Sequence, residues 1–250
     1  MSNASFDKNS RPHRFFERYL STDLDNAAEL LRHQYSRIEN FEMRGIKRND
    51  YEDPFSYTKS VSTAKSREYN VFQIYYPFLH DLYSALVEMV VEGCHYYGID
   101  YNSEQWMVAG WFNINSRAKG AKLEWHDHIP PEESFAAFHG YYSVSAEPSD
   151  TYYNINGQVK LNHNKNNRAV LSMVGYEHAM GPWDWEGDRI TIAYDVIPMS
   201  QMYQLENEQY DKELEGRHMN WEQHFFPMPQ LPQWLLDEWY KKFDSETENK

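Results

Sequence analysis

The sequence predicts a β-sandwich or barrel with helices packed outside it, and three observations carry that expectation. Between residues 105 and 198, short runs rich in β-branched and aromatic residues alternate with Gly, Asn and Pro roughly every ten positions. Before and after this stretch the spacing of apolar residues changes to the three-four period of amphipathic helices. The composition is that of a chain with a core: 250 residues, 41% hydrophobic and 16% aromatic. Three regions result: an N-terminal tail, helix and loop (1–68), a β-rich core (69–198), and a C-terminal helical extension and tail (199–250).

Residues 1 to about 12 are polar and expected to fray. In "STDLDNAAELLRHQYSRIEN", Leu24, Ala28, Leu31, Tyr35 and Ile38 line one helical face, with Thr22 as the expected cap and Asp25 three residues on. Residues 44–68 are polar and read as a long surface loop. "EYNVFQIYYP" reads as a strand stopped by Pro77. "FLHDLYSALVEMVVEGCHYYG" reads as a helix ended by Gly98. The expected strands follow: "QWMVAGWFNIN", "AKLEWHDH", "FAAFHGYYSVS", "TYYNING", "QVKLN", "RAVLSMVGYEH" and "DRITIAYDVIP". Beyond Pro198, residues 200–216 look helical, "HFFPMPQLP" extended, "QWLLDEWYKKF" helical and "DSETENK" disordered.

Lys and Arg number 24 against 38 Asp and Glu, a formal charge of −14. Such a surface repels phosphate backbones and anionic membranes, so nucleic acid is disfavoured as a partner. The single cysteine, Cys94, sits in an apolar helical segment and reads as an inert core thiol. The N-terminal residues lack the apolar run of a secretory signal, and no run is long enough to span a membrane. A soluble, cytoplasmic setting is expected.

His126 and His128 are two apart at the end of an apparent strand, so both side chains face one way and Asp127 the other. His178 closes a later strand, just after Gly175. Three such side chains from two strands make a facial metal site with open positions, unless the first pair is simply solvent-facing. In "DRITIAYDV", Ile190, Ile192, Tyr194 and Val196 alternate with Arg189, Thr191, Ala193 and Asp195. One face of that strand is apolar and the other opens with Arg and Thr. A half-buried guanidinium with a hydroxyl beside it suits a carboxylate, which is either a ligand's or an internal Asp or Glu.

Together these residues resemble the signature of Fe(II)/2-oxoglutarate-dependent oxygenases: G-x5-H-x-acid, a distal His, then R-x-Ser/Thr. The matching positions are Gly120, His126, position 128, His178, Arg189 and Thr191. The order Trp111, Asn113, Gly120, His126, His128, Tyr141, Tyr142 is similar to that of small bacterial and phage members. The resemblance covers residues 105–197 and implies a double-stranded β-helix (jelly roll) with flanking α-helices. It implies Fe(II) on His126, His128 and His178, and 2-oxoglutarate as cosubstrate with its distal carboxylate on Arg189 and Thr191. Asn113, with Asn115 as a second candidate, would contact the carboxylate nearest the metal. The implied activity is dioxygenase chemistry that hydroxylates a protein side chain or a small metabolite. His128 stands where the family has an acid, so either three histidines bind the metal or Asp127 supplies the carboxylate.

A second resemblance shares the same cupin-like barrel. Gly120, His126, His128, Glu133 and Gly140 match the first cupin motif, and Gly175 with His178 part of the second. Met173 and Pro182 replace that motif's Pro and Asn. A cupin-type metalloenzyme would use Glu133 as its carboxylate ligand and would give Arg189 and Thr191 no role. The third reading is a catalytically silent jelly-roll binding protein. Trp125, Trp183 and Trp185 are expected as cleft or rim packing, His139 and His163 as structural, and "HFFPMPQLP" as a lid or oligomer contact.

Overall fold

The structure, a computed structural model, describes residues 11–42, 60–63, 69–115, 125–127, 136–202 and 225–248. Ten strands are present among the described residues: β1 (Phe16–Tyr19), β2 (Ser60–Ser62), β3 (Trp106–Asn115), β4 (Phe138–Ser145), β5 (Asp150–Ile155), β6 (Gln158–His163), β7 (Arg168–Met173), β8 (His178–Met180), β9 (Arg189–Pro198) and β10 (Phe226–Pro227). Three helices flank them: α1 (Leu24–Glu42), α2 (Pro77–Tyr97) and α3 (Gln233–Glu248). The strands form two antiparallel sheets. The larger runs β1-β7-β4-β9-β3-β10, with β2 also on β3, and the smaller runs β6-β5-β8. No described helix is long and apolar enough to cross a membrane.

The alternation read in β9 governs the larger sheet. All ten β9 residues are buried, and each pairs with a β3 residue from Trp106↔Pro198 to Asn115↔Arg189. One face carries Ile190, Ile192, Tyr194 and Val196 beside Phe112, Phe138, Tyr142 and Leu171, in a core shared with α1 and α2. Full burial of each such side chain stabilises by about 1.5–3 kcal/mol. The opposite face carries Arg189, Thr191, Ala193 and Asp195, opposite Asn115, Asn113, Trp111 and Ala109 of β3. His139, Tyr141 and Ser143 of β4 pair with Asp195, Ala193 and Thr191 and so share that face.

Local chemistry explains the boundaries. Helix α2 starts with Pro77 in its first turn and ends at Gly98, whose φ of 73° suits a residue without a Cβ. The β5–β6 hairpin turns on Asn156 and Gly157, both at positive φ (53° and 79°), as a two-residue primed turn requires.

Several expectations need correction. Residues 69–76 form no strand. Val71–Gln73 is a 3-10 turn capped by the Asn70 side chain, and Pro77 opens a helix rather than closing a strand. Asp23, not Thr22, caps α1, accepting from the Asn26 N–H at 3.2 Å, while the Thr22 N–H is held by Asn167. The 44–68 stretch contains β2, and β1 was not anticipated. The extended reading of "HFFPMPQLP" agrees with a short strand there: Phe226 and Pro227 pair with Val108 and Met107, with Phe225 and Met228 buried on either side. Helix α3 continues through "DSETE" to Glu248. Most of 200–216 lies outside the described residues.

Gly140 is the tightest point of the larger sheet. It sits opposite Tyr194, whose ring lies over it, and the Tyr194 hydroxyl reaches the Val170 carbonyl at 2.9 Å and the Tyr141 carbonyl at 3.1 Å. A Cβ at position 140 would stand 2.0 Å from the Val170 carbonyl oxygen and 2.6 Å from the Tyr194 ring. Gly140→Ala is therefore expected to lower stability by about 1–3 kcal/mol or more in urea denaturation, whatever ligands are present.

Candidate active site

The two sheets enclose a cavity of about 240 Å³ on the polar face of β9. Its lining includes Trp111, Asn113 and Asn115 from β3, Arg189 and Thr191 from β9, and His139 and Tyr141 from β4. His126 and His178 stand on the facing side, where His126 extends the smaller sheet beyond β8.

His126 and His178 are a directly opposed antiparallel pair. The His126 N–H donates to the His178 carbonyl at 3.1 Å, and the His178 N–H donates back to the His126 carbonyl at 2.8 Å. Directly opposed residues put their side chains on the same face of a sheet. The two imidazoles accordingly lie 4.3 Å apart, centroid to centroid, and both line the cavity. Two imidazoles on one face could serve as two ligands of a metal ion. Among the described residues no group of three His, Cys, Asp or Glu completes one. Asp127 is half-buried beside His126 and is not part of the cavity lining. His128, Gly120 and Glu133, on which the choice of third ligand and the cupin reading depend, lie outside the described residues.

Arg189 is the other pole of the site. It is buried, and its side chain donates from Nε to Ser149 Oγ at 3.0 Å and from one terminal nitrogen to Thr191 Oγ1 at 3.5 Å. Both partners are neutral, and no carboxylate among the described residues pairs with it. Arg168 behaves differently. It is buried on β7 but held by Asn162 Oδ1 at 2.6 Å, the His163 carbonyl and Glu17. Desolvation pulls the Arg189 pKa down to about 10, offset only by neighbouring Tyr141. The group is still charged at neutral pH. Its folded value is depressed, so the charge costs native stability below about pH 10, and that cost is relieved as pH rises through this value. Tyr141 is pushed the other way, upward, chiefly by burial, and stays a neutral hydroxyl beside the cation.

The other sequence candidates fall into place around these two poles. Asn113 and Asn115 both line the cavity, opposite Thr191 and Arg189 respectively; Asn115 is a strand residue, not a turn former. Trp183 is buried and donates to the Gly187 carbonyl, while Trp125 and Trp185 are exposed and none of the three lines the cavity. His163 bonds Asp150 at the surface, in line with a structural part. His139, also expected to be structural, is instead a cavity residue, joined to Asp195 at 2.7 Å. A single histidine carries no spacing signal, so only the β4–β9 register brings that pair together.

Two antiparallel sheets thus hold a cavity with an imidazole pair at one pole and, at the other, a guanidinium with no acidic partner among the described residues. No protein-family model and no curated protein matches the chain. Several solved structures are similar to the chain at TM-scores below 0.5. The non-heme monooxygenase ThoJ in its nickel complex has a TM-score of 0.45 at 13% identity, covering 74% of this chain and 73% of that one. HygX from Streptomyces hygroscopicus, with nickel and 2-oxoglutarate bound, has a TM-score of 0.44 at 12% identity, covering 74% and 83%. A Pseudomonas putida prolyl-4-hydroxylase has a TM-score of 0.43 at 8% identity, covering 74% and 92%.

The electrostatics of Arg189 are testable without any ligand. Removing one member of a buried ion pair costs about 3–5 kcal/mol, whereas removing an uncompensated charge does not. Arg189→Met is expected to leave the urea midpoint of the unliganded chain unchanged or raised. A loss of several kcal/mol would mean that the guanidinium serves an internal pair.

Proposed function

We propose that the chain is a non-haem Fe(II)/2-oxoglutarate-dependent dioxygenase that hydroxylates a protein side chain or a small metabolite. The observation that carries this reading is Arg189, a buried guanidinium whose partners among the described residues are both neutral, in the same cavity as the His126–His178 pair. A keto acid with a second carboxylate answers both poles. One end suits a metal held by imidazoles, and the other neutralises the guanidinium in a charge-assisted, two-point contact.

The donor set fits ferrous iron. His126 and His178 would hold it, with His128 as third ligand by the strand reading, and imidazoles with open positions suit this metal. When bound, the ion supplies the activation of dioxygen that organic side chains lack. The chain's own residues do the rest. Arg189 and Thr191 fix the distal carboxylate of 2-oxoglutarate and so set its reach across the cavity. Asn113, opposite Thr191 on β3, offers an amide to the near carboxylate. Trp111 and Met180 add apolar walls that limit water. Orientation of this kind is a large share of what such a protein contributes.

Under anaerobic conditions, Fe(II) with 2-oxoglutarate is expected to give a visible charge-transfer absorption. Arg189→Ala should abolish it at the same concentrations, because losing one side of a buried charged contact costs about 2–5 kcal/mol, or thirtyfold or more in affinity. A metal-loaded protein whose spectrum ignores 2-oxoglutarate would rule out this function.

A further inference from the structure

We propose that His139, locked by Asp195, is a positioning residue that sets the ring plane of His178. This rests on the reading of His126 and His178 as metal ligands and adds a residue to it. The backbone of His178 is paired on both sides, with Tyr153 of β5 and with His126, which fixes its Cα but leaves the ring plane to be set by side-chain neighbours. Two rings lie nearly parallel to it. His139 is 4.7 Å away at 24°, and Tyr153 is 5.7 Å away at 27°.

His139 is itself held against rotation. His139 and Asp195 are cross-strand partners of β4 and β9, and Nδ1 meets Oδ1 at 2.7 Å. Both side chains are largely buried, at 8% and 13% exposure. Simple packing does not account for this pair. Burying a carboxylate carries a desolvation cost that an apolar pair of the same volume would avoid. What the carboxylate adds is a fixed orientation: the bond to Nδ1 sets the plane of the His139 ring, and that flat face is presented to His178. Ligand orientation through groups outside the coordination sphere is a general device of metal sites, and its loss weakens metal binding by roughly ten- to hundredfold.

The test uses the full chain and cobalt(II), whose visible absorption bands report ligand geometry independently of turnover. His139→Phe keeps a flat ring but loses the bond to Asp195. Asp195→Leu keeps nearly the same shape but offers no acceptor to Nδ1, and decides the matter if the first variant does not fold. In either folded variant, checked by circular dichroism, cobalt(II) affinity should fall roughly ten- to hundredfold and the absorption bands should shift. Wild-type affinity and bands in a folded variant would overturn the positioning role while leaving the metal site standing. If the wild-type chain takes up neither cobalt(II) nor Fe(II), the metal-site reading and this inference fall together.

Discussion

Strand β9 places two incompatible chemistries on one buried segment. All ten of its residues are shielded from water, yet alternate positions face a hydrocarbon core and a polar cavity. A slip of one residue against β3 would drive Arg189 and Asp195 into the cluster around Phe112 and Leu171, and turn Ile190 and Tyr194 into the cavity. The continuous ten-residue pairing with β3 and the Gly140–Tyr194 contact with β4 exclude that slip. The geometry of the site is thus a consequence of the register of a structural strand.

The charge distribution has the same economy. The chain is strongly acidic as a whole, with a formal charge of −14, yet Arg189 in the cavity between the sheets has no acidic partner among the described residues. Burial makes that cation expensive, and the neighbouring hydroxyls of Ser149 and Thr191 orient it without neutralising it. An environment of this kind discriminates by sign and by length. An anion that reaches Arg189 from the imidazole pair gains what the fold has withheld. An anion too short to span the cavity leaves one pole unsatisfied.

The two-faced pattern of β9 with its polar positions 189 and 191, and the helix α2 with its Gly98 stop, were legible because strand and helix periods are local properties. Residues 69–76 misled for the same reason. Their aromatic and β-branched content fits a pleated surface, but Asn70 caps a 3-10 turn there instead. The His139–Asp195 pair was invisible although both residues lie in segments read as strands, because their contact exists only once β4 and β9 are in register. The opposed pairing of His126 with His178 belongs to the same category: the sequence placed both at strand ends converging on one site, and only the sheet showed that they are directly paired.

The segments outside the β-rich core have a part beyond packing. At one side of the larger sheet β1 lies along β7, and at the other β10 and β2 together cover β3. Long central strands such as β3 would otherwise present rows of unpaired amides and carbonyls, a template for intermolecular pairing. The residues that cover them come from 16–19, 60–62 and 226–227. Trimming the chain to residues 69–198 would remove every one of them. The result would be a sheet with two open borders and a tendency to polymerise, even with each cavity residue still in place.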